Sequence, residues 1–164
     1  EDTLNNVVPV HLSVDDSVHK TMQVHYVWKE DMPYKLLLQE GFAADSSGVL
    51  TKADTISFKT KRLSEYGSIQ LTFNGLDSAR HFVVQLVSND QVIYAAPLHG
   101  NIWKVNLFAP GTYEIRLLDD ENQNGKWDTG QYFGKEKRQP EIVHAVPQKL
   151  TVRANWDNDL IIKF

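Results

Sequence analysis

The 164 residues carry 17 Lys+Arg against 21 Asp+Glu, a formal net charge of −4, and contain no cysteine. An acidic balance offers no field for polyanions and argues against a nucleic-acid partner, while the missing thiols exclude disulfides, cysteine nucleophiles, iron–sulfur clusters and Cys-based zinc sites. No apolar run approaches the ~18 residues of a transmembrane helix.

Strand patterning runs through the whole chain. Thr21–Trp28, Tyr34–Gln39, Gly67–Phe73, His81–Val87, Gln91–Ala95, Ile102–Leu107, Thr112–Leu118, Lys149–Ala154 and Leu160–Phe164 are short and rich in β-branched and aromatic residues. In the run from Thr112, alternation directs Tyr113, Ile115 and Leu117 inward and Thr112, Glu114 and Arg116 toward water. Turn residues separate the runs: Ser46-Ser47-Gly48, Asn74-Gly75, Ser88-Asn89-Asp90, Ala109-Pro110-Gly111 and Asn124-Gly125. No longer segment keeps a helical period with caps, so the expected class is all-β, an antiparallel β-sandwich in two small modules. The charged stretch from Lys59 to Glu65 supplies the boundary. Residues 1–63 offer only four or five strands and read as a module incomplete at its N-terminus; residues 64–164 hold a full sandwich. The chain opens on Glu1 and lacks a basic-then-apolar leader, so any signal or anchor is expected outside these residues.

One segment carries chemistry. From Asp119 the chain reads DDENQNGKWDTG. With Asp120 at position 1, oxygen-bearing side chains fall at positions 1, 3 and 5 (Asp120, Asn122, Asn124), glycine at 6 (Gly125), a backbone carbonyl at 7 (Lys126) and a carboxylate at 9 (Asp128). A hard cation such as calcium takes six to eight oxygens from a tightly curled backbone, and these positions match an EF-hand-type loop through its ninth residue. Position 12 is Gln131 in place of a bidentate Glu, and the preceding segment reads as strand, so a complete EF-hand is excluded. A calcium loop between strands, with affinity near ~10⁻⁴–10⁻³ M, stands beside a second reading: a polar turn in which Asn and Asp bond their own backbone. Trp127 is expected to point away from the ion and anchor the loop to the core.

The run Ala109-Pro110-Gly111-Thr112-Tyr113-Glu114-Ile115-Arg116-Leu117, the loop after it, Gln139-Pro140-Glu141 and Arg153-Ala154-Asn155-Trp156-Asp157 resemble the C-terminal region of Ig-like domain-containing envelope proteins from Gram-negative gut anaerobes. That region is similar to a transthyretin-like, or prealbumin-like, sandwich. Upstream, Tyr34-Lys35-Leu36-Leu37-Leu38, Gly41-Phe42, Asp45, Gly48 and Ser57-Phe58-Lys59-Thr60 resemble the closing strands of a bacterial Ig-like domain. The resemblance implies export, often as a surface lipoprotein of the cell envelope, and a structural or interaction role without catalysis. It does not carry hormone binding across, because function belongs to sites and not to folds.

Other readings have less behind them. His11, His19, His25, His81, His99 and His144 are scattered, with no HExxH, GxSxG or glycine-rich phosphate loop; His11 and His25 read as ordinary strand residues. A carbohydrate-binding module would use exposed aromatics, for which Trp28, Trp103, Trp127, Trp156 and the pair Tyr132-Phe133 are candidates. Core packing is the expectation for each. The basic tetrads Lys59–Arg62 and Lys135–Arg138 read as solvated loops. The partner, if one exists, is expected to be a protein or glycan at the cell surface.

Overall fold

The computed structural model describes residues 7–16, 21–44, 47–133 and 137–164. Its regular structure is almost wholly β, with one 3-10 turn at Leu63–Glu65. The chain divides into two compact units, with the division between Arg62 and Leu63, inside the charged stretch.

The first unit holds β1 (His11–Asp16), β2 (Thr21–His25), β3 (Pro33–Leu38) and β4 (Asp54–Lys59). They form two antiparallel ribbons, β1–β2 and β3–β4. The strand runs read from residue patterning omit β1 and β4, although the resemblance to closing Ig-like strands takes in Ser57, Phe58 and Lys59 of β4. In β4 every residue is exposed, so no burial pattern marks it, and β1 runs through polar His11, Ser13, Asp15 and Asp16. Among the described residues of this unit only Tyr34 is a buried hydrophobic. It stands in an aromatic group with Tyr26, Trp28 and Phe58 at centroid distances of 5.0–6.0 Å, and its hydroxyl accepts a hydrogen bond from the Lys29 amide at 3.1 Å.

The second unit is a seven-stranded sandwich: β5 (Gly67–Asn74), β6 (Phe82–Ser88), β7 (Gln91–Leu98), β8 (Ile102–Phe108), β9 (Gly111–Asp119), β10 (Val143–Val152) and β11 (Asp157–Lys163). One sheet has the order β10-β9-β6-β7, the other β11-β5-β8. Their inner faces share a single core. Ile69, Leu71 and Phe73 of β5, Trp103 of β8 and Ile162 of β11 meet Val84 and Leu86 of β6, Tyr113, Ile115 and Leu117 of β9, and Leu150 and Val152 of β10. The inward set expected for β9 is buried as the alternation requires.

Several local rules explain this arrangement. The β6–β7 hairpin turns on Asn89 and Asp90, both at positive φ (50° and 60°), the conformation a two-residue hairpin loop needs to match strand twist. Pro97 and Pro147 lie in β7 and β10, the edge strands of their sheet, where a missing N–H costs no ladder bond. β6 is apolar on both faces except for Gln85 and the terminal Ser88, and all but its last residue is buried, as befits a strand paired on both sides by β9 and β7. One pair departs from the antiparallel expectation: β11 runs parallel to β5, from Asp157 opposite Ser68 to Lys163 opposite Asn74. Alternation sets which side chains face inward but not strand direction, so the reading from residues had no means to detect this.

Asn158 secures the entry to β11. Its side-chain amide donates to the carbonyls of Ser68 and Trp156 at 2.9 and 3.0 Å, and its oxygen accepts from the Arg153 amide at 3.0 Å.

Candidate functional site

The loop between β9 and β10 spans residues 120–142, and β9 and β10 pair antiparallel on either side of it. β9 delivers two carboxylates at its end, Asp119 and Asp120, both buried. Asp119 forms an ion pair with Arg80, while the Asp120 amide donates to the His81 carbonyl at 2.9 Å. The start of the loop is thereby fixed to the segment that leads into β6.

From Asp120 the chain curls on itself. The two carboxylate oxygens of Asp120 accept the amides of Asn124 and Gly125 at 3.1 and 2.8 Å. Asn122 Oδ1 accepts the Asn124 amide at 3.0 Å, and Asn124 Oδ1 the Lys126 amide at 2.7 Å. Gly125, at φ 75°, completes the turn, a conformation that costs glycine nothing for lack of a Cβ. The side-chain amides of Asn122 and Asn124 both donate to Asp128 Oδ2, the latter at 2.9 Å. Arg138 reaches the same oxygen at 3.3 Å.

Asp120, Asn122, Asn124 and Asp128 are therefore brought together in one curl, which Lys126 joins through its backbone amide. Gln131, at the twelfth position, exchanges backbone hydrogen bonds with Arg138 at 2.8 and 2.9 Å and belongs to a separate bridge. The residue that closes the loop is Glu141, which the sequence placed only within a family motif. Its side chain is buried. Oε1 accepts the Glu121 amide at 3.1 Å, Oε2 accepts the Asp128 amide at 3.0 Å, and its own amide donates to the Asp128 carbonyl at 3.0 Å. It lies thirteen residues past Asp128, too far for any spacing rule to link the two; only the β9–β10 pairing brings it back.

Trp127 corrects an expectation. It is 50% exposed, and it holds the loop through its indole N–H, which donates to the Glu141 carbonyl at 2.9 Å, instead of through burial in the core. Of the four tryptophans only Trp103 is a core residue; Trp28 and Trp156 are exposed as well, and Tyr132 and Phe133 are 74% and 83% exposed. Trp28 stacks edge-on against Tyr26 at the surface, Arg153 lies over the Trp156 ring at 5.4 Å, and Lys137 lies over Tyr132 at 5.5 Å. These rings touch cations or one another yet stay exposed to solvent, so burial in a sheet interior was the wrong guide.

The first basic tetrad is also more than a solvated loop. Lys59 and Arg62 both bind Asp31, at 2.5 and 2.9 Å. In the second tetrad, Lys135 and Glu136 lie outside the described residues, as do His19, Asp45 and Ser46 from the sequence reading.

The chemistry of the curl suits a hard cation. An oxygen that accepts one amide keeps a second lone pair, so Asp120, Asn122 and Asn124 retain acceptor capacity for an ion, whereas Asp128 Oδ2 already takes Asn122, Asn124 and Arg138 and leaves Oδ1 as that residue's free oxygen. Nitrogen and sulfur donors, which zinc prefers, are missing from the curl. Among the described residues no group of three or more His, Asp or Glu side chains is set to hold a metal; the loop's donors are mainly amide and carbonyl oxygens. No protein-family model matches the chain, and no curated protein matches it.

Proposed function

We propose that this chain is a non-catalytic structural and interaction module of an exported bacterial surface or envelope protein, in which the loop at 120–128 holds a structural calcium ion. The convergence of Asp120, Asn122, Asn124 and Asp128 on one curl, closed from the far end by Glu141, carries this reading. Side-chain oxygens of those four residues and the Lys126 carbonyl would hold the ion, with water completing the shell. Calcium would supply fixed positive charge beside the Asp120 and Asp128 carboxylates, and because Glu141 holds the Asp128 amide, it would tie the β9 end of the loop to its β10 end. Export, a surface-lipoprotein parent and the transthyretin-like type rest on the family resemblance of the motifs around this loop, and the Ig-like type on that of the upstream motifs between Tyr34 and Thr60.

A second reading, a carbohydrate-binding module, is favoured by the exposure of Tyr132, Phe133 and Trp127 on the same β9–β10 connection. Sugar rings stack on exposed aromatic faces, and a soluble polysaccharide whose binding is lost on replacing Tyr132 and Phe133 by Ala would establish it.

The calcium reading is tested with terbium, which takes calcium's oxygen ligands and emits when a nearby indole transfers energy to it. Trp127, within the loop, is the expected sensitiser. Titration of the intact chain with Tb³⁺ should give sensitised emission that millimolar Ca²⁺ displaces and that Asp120→Ala abolishes. Emission that is absent, or unchanged in Asp120→Ala, overturns the reading.

A further inference from the structure

In the first unit, β1 and β2 set His11 directly opposite His25. Directly opposed residues of an antiparallel pair project from the same face with Cβ atoms ~4.5–5.5 Å apart, and both histidines are exposed. Their ring centroids are 5.7 Å apart, with the planes inclined at 52°. Ser13, on the same face two residues along β1, has its hydroxyl 2.7 Å from His25 Nε2. The rings border an open depression walled by Pro9, Val10, Tyr26 and Val27.

We propose that His11 and His25 form a two-imidazole chelate for a borderline transition-metal ion, of the zinc or copper(II) class, independent of the oxygen loop in the second unit. Metal–nitrogen bonds of about 2.0–2.1 Å put each imidazole centroid about 3.2 Å from the ion, so two rings sharing one tetrahedral ion have centroids about 5–5.5 Å apart. The observed 5.7 Å is within a small side-chain rotation of that value. Ligating histidines characteristically spend their second ring nitrogen on an outer hydrogen bond that fixes tautomer and ring plane. Ser13 provides this bond at Nε2 of His25, which assigns Nδ1 of that ring to the ion. Two imidazoles suit zinc and copper and are poor ligands for calcium, which takes oxygen. The open setting leaves the remaining coordination positions to water or to a donor from a second molecule.

The test uses the intact chain without a histidine tag, in 5 mM Ca²⁺ so that the oxygen loop is occupied or shown to be irrelevant. Zn²⁺ is titrated calorimetrically, and Cu²⁺ is followed by electron paramagnetic resonance, whose nitrogen couplings count the imidazoles bound. The site predicts one equivalent of either ion with two equatorial nitrogens. His11→Asn and His25→Asn should each weaken Zn²⁺ binding about tenfold or more, and His99→Asn, an exposed histidine of the other unit, should leave it unchanged. Circular dichroism without metal controls for folding of the variants. Absence of binding, binding untouched by either substitution on the ribbon, or copper spectra with a single nitrogen overturns the proposal.

Discussion

Tyr113 shows how one side chain serves both packing and chain reversal. Its ring lies in the core against Phe108, at 5.2 Å between centroids, and its hydroxyl donates to the Ala109 carbonyl four residues earlier at 2.9 Å. That bond closes the corner where the chain crosses from β8 to β9, a device shared with Greek-key sandwiches in general. Burial raises the phenol's pKa above 10.0, which keeps it a donor through the physiological range. Gly111 leaves room for it, because a Cβ there would stand 2.9 Å from the hydroxyl and displace it. Tyr113→Phe keeps the ring and deletes one hydrogen bond, so it should cost about 1 kcal/mol and lower the melting temperature by about 4–8 °C. A variant that melts with the parent would show that the corner bond contributes nothing. The inward direction of this residue was legible from alternation; its hydroxyl partner was not, because a carbonyl in a turn leaves no mark in residue identity.

At the scale of elements, strands of the second unit could be read because each buries one face and alternates accordingly. β4 could not, since all six of its residues are exposed, and β10 was caught only in its second half because the bulge between Val146 and Lys149 interrupts its period. The β3–β4 ribbon depends instead on charge at its end. Lys59 and Arg62 converge on Asp31, which adopts φ 56° in the turn before β3. Hydrogen bonds from Lys59, and then from Arg62, hold the Asp31 carboxyl below its ordinary value of 3.8. A depressed carboxyl pKa contributes stability that is present above pH 3.8 and lost as pH falls through the lower folded value. The carboxylate is open to solvent on one side, so salt should screen the effect. A carbon-detected NMR titration should find Asp31 titrating below 3.8, with Lys59→Met and Arg62→Met each moving it back. An Asp31 that titrates at its ordinary value in the parent chain would remove the clamp from this account.

For the molecule as a whole, composition and punctuation were enough to give the all-β class, whereas the parallel pairing of β11 with β5 was hidden, because direction depends on where the chain crosses between sheets. The same division applies to the candidate site. Asp120, Asn122, Asn124 and Asp128 were legible because a curled loop fixes ligand spacing along the chain. Glu141 was not, because strand pairing, and no local spacing, returns it to the loop. The oxygens of the curl are engaged by backbone amides and by Arg138, so a bound cation would have to add to a loop that already closes. Its effect is therefore best read as stability. Thermal unfolding of the intact chain should be recorded in EDTA and in ~5 mM Ca²⁺, beside Asp120→Ala. For a dissociation constant of ~10⁻⁴ M the calcium reading predicts about 2 kcal/mol of stabilisation, seen as a rise of several degrees in the parent and none in the variant. Identical melting of the parent chain in EDTA and in calcium would contradict it and leave the loop a hydrogen-bonded turn.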